Sequence, residues 1–210
     1  FCVVDMSNFY LDVIKDRLYV EKEDSAARRA AQTTIYRILD TLTRLLAPIL
    51  AFTAEEIWSY LPHKAGDDPE SVMFNEIPKE SIMAPDEDFM ARWEKIHAVR
   101  DDVQKALELA RTEKLIGGSL DAKVTLYGEG DTLAFLRDVE SQLPAVLIVS
   151  AVEVAGEGAG AFTGEVEGLS VTVARADGDK CDRCWVYSDS VGQDAEHPTL
   201  CGRCAAIMRD

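Results

Sequence analysis

The fold is decided late in the chain, by Lys180-Cys181-Asp182-Arg183-Cys184-Trp185 and Leu200-Cys201-Gly202-Arg203-Cys204. Sixteen residues separate the two C-x-x-C pairs, a spacing typical of zinc sites. Each C-x-x-C turn brings two thiolates to one side of a tight loop, and two facing loops form a closed tetrahedral site of four sulfurs. A closed site holds structure and does no metal catalysis. The predicted ligands of one structural Zn²⁺ are Cys181, Cys184, Cys201 and Cys204.

Other interpretations of these cysteines remain open. Two disulfides are an alternative, although no other feature of the chain is typical of a secreted protein. A redox C-x-x-C motif usually has one pair opening a helix, not two matched pairs. His197 lies between the pairs and is an alternative ligand. The fifth cysteine, Cys2, lies in a helical pattern and is expected to be a small buried hydrophobe.

Composition sets the class of protein. The chain has 210 residues, 47% of them hydrophobic and 29% charged, which is typical of a soluble globular protein of two or three small units. We find no segment that would span a membrane and no signal peptide. Cysteine use fits a reducing compartment, and we expect a cytoplasmic protein. The chain begins at Phe1, without Met and inside a helical pattern, so we expect a piece of something longer.

The net charge of −16 argues against bulk binding of nucleic acid. It leaves room for a local basic face that binds RNA specifically.

Helical periodicity dominates the first half of the chain. Phe1–Val20 is predicted to be a helix, and Asp24 or Ser25 to cap the next one. The following helix carries an apolar stripe of Ile35, Ile38, Leu39, Leu42, Leu45, Leu46 and Ile49. Pro48 is expected to kink or end it.

Thr53-Ala54-Glu55-Glu56 is typical of a capping box with Thr53 as N-cap, and this short helix should stop at Pro62. His63–Ser81 is predicted to be a loop. Asp86–Lys114 is predicted to be one long helix that ends at Gly117-Gly118.

The periodicity then changes to that of a small α+β unit. Ala122–Tyr127 and Leu169–Val173 alternate as strands. Asp131 is expected to cap a short helix that Pro144 ends, and Ala145–Val154 to form one or two β segments. We therefore predict a mainly α fold: an antiparallel helical bundle over 1–118, an α+β connector over 119–178 and a four-cysteine zinc ribbon over 179–210.

Catalytic signals are few. The chain has no phosphate loop, no dinucleotide fingerprint and no nucleophile elbow. The acidic pairs Asp67-Asp68 and Asp101-Asp102 are interpreted as solvated surface. These residues indicate a binding module more than a catalytic domain.

Basic and aromatic residues suggest what is bound. A phosphate-facing stripe and ordinary solvated helix faces both explain the helical arginines and lysines. Trp185, held on the zinc turn, would be a stacking platform for an unpaired base or a cover for the metal site. The candidate RNA contacts are Trp185, flanked by Arg183 and Arg203, with Lys15, Arg17, Arg28 and Arg29. Arg100, Lys105, Arg111 and Lys114 extend the stripe along the long helix.

Three stretches and the two cysteine pairs carry a family resemblance. Asp5–Tyr19 is similar to the start of the anticodon-binding helical domain of bacterial-type isoleucyl-tRNA synthetases. Leu42–Leu50 and Phe52–Trp58 contain an Ala-Pro-Ile-x-x-Phe-Thr-Ala-Glu-Glu-Ile-Trp pattern that the valine and leucine enzymes share. The two cysteine pairs resemble the zinc ribbon of the isoleucine enzymes, which is also found in formamidopyrimidine-DNA glycosylases. The resemblance covers essentially the whole chain.

The resemblance implies an ATP-dependent ligase that charges isoleucine tRNA, of which this part grips the anticodon stem-loop. The His-Ile-Gly-His and Lys-Met-Ser-Lys-Ser signatures of the ATP site are absent, as is the editing domain, so no catalysis by this piece alone is expected. The expected partners are isoleucine tRNA and the rest of the synthetase chain, with no membrane, in a monomer. The alternative is a structural or protein-interaction zinc module that packs on the catalytic body. DNA binding, as in the glycosylases, is a weaker third possibility because of the acidic charge.

Overall fold

The computed structural model describes residues 1–79 and 86–209. Its α-helical segments are α1 (Leu11–Val13), α2 (Lys15–Tyr19), α3 (Ala26–Leu46), α4 (Ala51–Tyr60), α5 (Glu87–Thr112), α6 (Gly130–Val139), α7 (Leu143–Leu147) and α8 (Gly202–Met208). Its strands are β1 (Ala122–Gly128), β2 (Ala151–Ala155), β3 (Phe162–Thr163), β4 (Leu169–Arg175), β5 (Asp179–Lys180) and β6 (Tyr187–Ser188). Helices predominate, so the predicted mainly α class is confirmed.

The described residues form two compact units. One comprises residues 1–21 together with 86–209, and the other comprises residues 22–79. This division follows compactness and differs from the boundaries placed after residues 118 and 178, which stay a prediction. Within the described ranges, no helix has the length and apolar character needed to cross a membrane.

The first unit opens with a helical segment, as predicted for Phe1–Val20. A π-helical stretch, Cys2–Tyr10, runs into the short helices α1 and α2. Phe9 packs edge-on against Trp93 of α5, with ring centroids 6.2 Å apart. Arg100, also on α5, donates to the Asn8 carbonyl at 3.4 Å. The beginning of the chain is thereby fixed to a helix about ninety residues later. Cys2 is exposed, so its predicted burial is wrong.

A four-stranded sheet of order β2-β1-β4-β3 forms the centre of this unit. β1 pairs parallel with β2 and antiparallel with β4, so Val124 lies between Val152 and Val173. Alternate residues of β1 are buried, which confirms the period-two pattern predicted for this strand. The buried face packs with residues of α5, α6 and α7 in one core.

Two local predictions in this region are wrong. α6 begins at Gly130 with Glu129 as N-cap residue, so Asp131 lies inside the first turn. Residues 145–147, predicted as β, belong to α7, whose first turn contains Pro144. Proline is tolerated there because the first N–H groups of a helix have no partner within it. Strand structure resumes only at Ala151.

Asp102, interpreted from the sequence as solvated surface, is 1% exposed. Its carboxylate accepts the backbone N–H groups of Glu165 and Val166, with distances of 2.9 Å from Oδ2. A methyl group on Gly164 would lie 2.1 Å from the carboxyl carbon of Asp102. Helix α5 therefore holds the loop before β4 through a buried charge-assisted contact.

The second unit contains α3, α4 and the segment that follows them. Its core consists of Ala47, Ala54, Trp58, Leu61 and Val72. The helices end at Leu46 and Tyr60, next to the prolines that the sequence predicted as stops. The loop predicted for His63–Ser81 contains a 3-10 turn at Val72–Phe74, and residues 80 and 81 lie outside the described ranges.

Two further predictions fail in this unit. The buried positions of α3 are Ala31, Asp40 and Thr43, whereas Leu45 of the apolar stripe is 48% exposed. Helix α4 begins at Ala51, so Thr53 lies within its first turn and caps nothing.

An ionic network explains why α3 buries polar positions. Arg44 donates to Asp40 at 2.9 Å and to Asp67 at 2.8 Å, and its guanidinium lies 4.7 Å from the centroid of the Trp58 ring. Lys64 donates to the second oxygen of Asp40 at 2.6 Å. Asp67, predicted to be solvated, is therefore an internal partner.

The two carboxylates of this network, Asp40 and Asp67, both have pKa values below the usual value for aspartate. Burial raises the pKa of Asp40, but the hydrogen bonds from Lys64 and Arg44 outweigh burial and leave that pKa lowered. The pKa of Asp67 is lowered too: burial is again outweighed, here by the backbone N–H of Lys64 and by Arg44.

Candidate metal centre and the surface around it

The four predicted cysteines meet at one point. Their sulfurs all lie within 4.8 Å of one another, and the Sγ atoms of Cys184 and Cys201 are 3.8 Å apart. A tetrahedron with Zn–S bonds of about 2.3 Å has sulfur–sulfur edges of about 3.8 Å. All five cysteines are free, which removes the disulfide alternative. His197 is not part of this cluster. The donor set therefore fits one Zn²⁺ in a closed site.

Short secondary-structure elements position the four cysteines. β5 leads directly into Cys181, and the β5–β6 hairpin carries the first C-x-x-C turn. Cys201 is the N-cap residue of α8, and Cys204 lies one turn into that helix. A bound metal would thus join a hairpin to a helix N-terminus. A helix of seven residues is marginal by itself, so the order of α8 comes from the contacts that its residues make with the rest of the unit.

Backbone N–H groups favour the thiolate form of one of the four cysteines. Burial opposes ionisation of Cys181, but N–H groups of Cys184, Cys201 and Arg183 outweigh it and lower the pKa of Cys181 to about 6. The Cys201 N–H donates to the Cys181 sulfur at 3.3 Å.

The neighbouring thiols differ. Burial raises the pKa of Cys184, and burial followed by the charge of Cys184 raises the pKa of Cys204. A cation must therefore offset the repulsion among the thiolates for all four sulfurs to ligate.

A small apolar shell closes around the sulfurs. Val20, just after α2, is buried against the cysteines, and Val191, Leu200 and Ile207 pack at its edge. Trp185 is outside this shell and 61% exposed, which argues against the interpretation that its ring covers the metal.

Trp185 is held in an unusual conformation. Its φ of 64° lies in the left-handed region, which bulky side chains seldom adopt. The backbone N–H of Trp185 donates to the Cys181 carbonyl at 2.9 Å, so the turn fixes the backbone that carries the indole. The ammonium of Lys180 lies 5.7 Å from the ring centroid. Strain of this kind clusters at functional sites.

Arg203 has a partner that the sequence did not suggest. Its two terminal nitrogens each donate to one oxygen of Asp16, both at 2.7 Å. The hydrogen bond to Asp16 outweighs burial and raises the pKa of Arg203. The bidentate pair joins α8 to α2 across most of the chain.

The other predicted contact residues belong to both units. Lys15 donates to Asp12 at 2.6 Å, and Arg17 is exposed on α2. Arg28 and Arg29 lie in the first turn of α3, in the other unit, Arg28 half-buried and Arg29 exposed. Arg183 is half-buried beside the cysteines. A contact of any of these residues with RNA stays a prediction.

The basic stripe suggested for α5 is largely used internally. Arg100 donates to the Val146 carbonyl at 3.2 Å and lies 5.2 Å from the centroid of Phe9. Lys105 donates to Glu165 at 2.7 Å, and Arg111 pairs with Glu108 and Ser119. These side chains brace the first unit.

Comparison with known families gives this arrangement its context. Residues 1–126 match the family model described as the anticodon-binding domain of tRNA ligase. The chain belongs to this anticodon-binding domain family. Residues 178–207 match the model described as the zinc finger found in FPG and IleRS, and these residues include the four clustered cysteines.

Three curated relatives of the chain are isoleucine–tRNA ligases. It is 51% identical over its full length to an isoleucine–tRNA ligase of Syntrophotalea carbinolica, covering 22% of that protein. It is 47% identical, again over its full length, to one of Desulforamulus reducens, and 49% identical over 99% of its length to one of Desulforudis audaxviator, covering 23% of each. The chain therefore spans between a fifth and a quarter of the length of these relatives.

Sequence reasoning identified the four cysteines but not the N-terminal residues that pack against the region around them. The contact of Asp16 and Val20 with the ribbon involves residues more than 160 positions away, and no periodicity reports such a pairing. An acidic residue between two basic ones on a short helix, Lys15-Asp16-Arg17, is the only local signal.

Proposed function

We propose that this chain is the anticodon-binding and zinc-binding part of an isoleucine–tRNA ligase and that it holds the anticodon stem-loop of isoleucine tRNA. The family match over residues 1–126 and the zinc-finger match over residues 178–207 support the proposal. Ligation of one Zn²⁺ by Cys181, Cys184, Cys201 and Cys204 would be structural, since no coordination position stays open.

The observation that carries the proposal is the exposed indole of Trp185 on a fixed backbone. Bases of an anticodon loop are unpaired, so their faces are available to aromatic side chains. Trp185 has a fixed backbone and 61% exposure. With the Lys180 ammonium near one face of the ring, one base can stack on the remaining surface.

Basic residues would set the register through phosphates. Lys15, Arg17, Arg28, Arg29 and Arg183 are the candidates, and Arg203 contributes in a different way, described below. Residues 86–178 contain 18 acidic and nine basic side chains, so this stretch would face away from the tRNA.

The proposal extends to the whole enzyme. We propose a cytoplasmic, monomeric ligase that charges tRNA with isoleucine at the expense of ATP. Catalytic and editing sites would lie in other parts of it. The 210-residue chain alone should give no isoleucine-dependent ATP–pyrophosphate exchange, and measurable exchange by the purified chain would contradict this division of labour.

The test is binding of the zinc-loaded chain to an isoleucine tRNA transcript and to a transcript with a swapped anticodon. We expect preference for the native anticodon and affinity that falls steeply with salt. Trp185→Ala should weaken binding about tenfold, from the loss of one stacked base. Trp185→Phe keeps an aromatic face and is the matched control. Equal affinity of Trp185→Ala and the parent chain, with zinc retained, would remove Trp185 from this role.

A second candidate function follows from the acidic charge. The chain would then be a structural or protein-interaction module that packs on the rest of the synthetase chain. The net charge of −16 favours it. Tight binding to the remainder of the enzyme, combined with salt-insensitive and anticodon-independent interaction with tRNA, would select this candidate.

A further inference from the structure

The contact between the N-terminal helical segment and the metal centre has a consequence beyond the zinc ribbon itself. Arg203 lies on α8 between Cys201 and Cys204, two of the four clustered cysteines. Its guanidinium holds both oxygens of Asp16 at 2.7 Å. Lys15 and Arg17, two candidate phosphate contacts, flank Asp16 on α2.

The segment has little stability of its own. Its helical residues run from Cys2 to Tyr19 as a π-helical stretch and two short helices, interrupted at Ile14, and helices in proteins take most of their stability from tertiary packing. Its order must therefore come from packing against the rest of the unit.

Two separate anchors supply that packing. The upstream anchor is Phe9 against Trp93 and His97 of α5, together with the bond from Arg100 to Asn8. The downstream anchor consists of the Asp16–Arg203 pair and of Val20, which is 5% exposed and buried against Cys181, Cys201 and Cys204. Only the downstream anchor rests on the cysteine cluster.

We propose that Asp16 and Arg203 are positioning residues that couple metal binding to the order of α2. When the cysteines bind zinc, α8 forms, Arg203 and the apolar shell hold α2, and Lys15 and Arg17 are presented in fixed positions. When the metal is lost, α8 and the downstream anchor loosen together, while the upstream anchor stays. Arg203 thus acts within the protein, and the RNA-facing charges it serves are its neighbours on α2. The last step rests on the proposed tRNA-binding function; the coupling itself does not.

Residue-resolved amide exchange of the 210-residue chain, with and without zinc, tests the coupling without any RNA. The Leu18 N–H, bonded to the Ile14 carbonyl at 3.0 Å, and the Val20 N–H, bonded to the Asp16 carbonyl at 2.9 Å, report on α2. The Ile14 N–H, bonded to the Tyr10 carbonyl at 3.1 Å, is the internal control upstream. Zinc removal should speed exchange at Leu18 and Val20 about tenfold or more and leave Ile14 within about twofold.

Variants separate the pair from general unfolding of the ribbon. In zinc-loaded protein, Asp16→Asn and Arg203→Lys should each speed exchange at Leu18 and Val20 about fivefold, the effect expected of a partly exposed bidentate pair. The matched control is Asp12→Asn, which removes the partner of Lys15 and should leave both amides unchanged. The swapped pair Asp16→Arg with Arg203→Asp should recover protection.

The outcomes are distinct. Exchange at Leu18 and Val20 that is the same with and without zinc, or unchanged in Asp16→Asn and Arg203→Lys, would overturn the coupling. If the coupling holds, Asp16→Asn should also lower tRNA affinity about threefold through Lys15 and Arg17. Coupling without any tRNA binding would leave this inference standing and count against the proposed function instead.

Discussion

The cysteine centre and the Arg44 network solve the same problem in different ways. Each holds together a region with a modest apolar core. In the first unit, four sulfurs converge within 4.8 Å and fit one ion. In the second, Arg44 is placed between Asp40, Asp67 and the Trp58 ring. The metal site is recognisable in the sequence as two C-x-x-C motifs, whereas the residues of the ionic network do not belong to a common motif.

This difference shows which kinds of site can be predicted from local sequence. A C-x-x-C turn fixes its own geometry, so two turns identify a site before the fold is known. An arginine on a helix has no such signature, because its partner is decided by which loop folds back onto it. The two centres also predict different responses to mutation, acid and metal removal.

The largest effect should follow from breaking the cysteine centre. Cys204→Ser removes a buried sulfur, and structural zinc supplies about 10–16 kcal/mol of folding free energy in zinc-finger peptides at neutral pH. We expect bound zinc, measured by mass spectrometry after dialysis against a chelator, to fall from about one ion per chain to near zero. Cys2→Ser, at an exposed cysteine outside the cluster, should keep its zinc. Full zinc retention by Cys204→Ser would show that the cluster is not the metal site.

A smaller but clear effect should follow from breaking the ionic network. Arg44→Met removes one of the two cationic partners of the buried Asp40 and the cationic side chain paired with Asp67, which costs about 3 kcal/mol. The indole N–H of Trp58, which donates to the Asp68 carbonyl at 3.1 Å, gives a resonance that follows unfolding of this unit in denaturant. Arg37→Met, at an exposed position of α3, should change little. Equal midpoints for the two variants would mean that the network stabilises nothing.

Acid should weaken the network in a defined direction. Because the pKa values of Asp40 and Asp67 are lowered in the folded chain, their contribution is complete above the ordinary aspartate pKa of about 3.9 and is lost as pH falls through the lower folded values. The denaturant midpoint reported by Trp58 should therefore be flat from about pH 7 to about 5 and fall below about 4.

Asp40→Asn is the variant that isolates this effect. It should start from lower stability and lose less of it in acid. An identical acid response in Asp40→Asn and the parent chain would assign the effect to other groups.

The smallest effect is expected at Thr53. As an N-cap it would contribute about 1 kcal/mol, but α4 begins two residues earlier, at Ala51. Thr53→Ala should therefore change stability by less than about 0.5 kcal/mol, again followed through the Trp58 resonance. A loss near about 1 kcal/mol would restore the capping box that the sequence indicated.

The periodicity of apolar residues and the positions of the prolines predicted most helices and strands. The ends of α3 and α4 lie next to Pro48 and Pro62, and the alternation over β1 and β4 places the buried face correctly. The failures have physical causes. Pro144 was interpreted as a terminator, although a first helical turn accepts it. The stripe on α3 was interpreted as core because periodicity identifies a face without saying what covers it.

The candidate site likewise has features that the sequence predicts and features that only the fold determines. The four cysteines follow from spacing alone. The exposure and left-handed φ of Trp185 depend on how the turn closes, and the Asp16–Arg203 pair depends on tertiary packing. The exposure of Trp185 and the pairing of Asp16 with Arg203 cannot be obtained from the local pattern of residue types around them.

One measurement tests the central claim, that the metal-organised turn faces the anticodon loop. It is nuclease footprinting of an isoleucine tRNA transcript with the zinc-loaded 210-residue chain, with Trp185→Ala and the zinc-stripped chain alongside. At a chain concentration near the Kd of the parent chain, we expect protection of the anticodon loop that is largely lost in Trp185→Ala and after zinc removal, with the acceptor stem cleaved as in free tRNA. Anticodon-loop protection that persists in both altered samples, or protection confined to the acceptor stem, would contradict it.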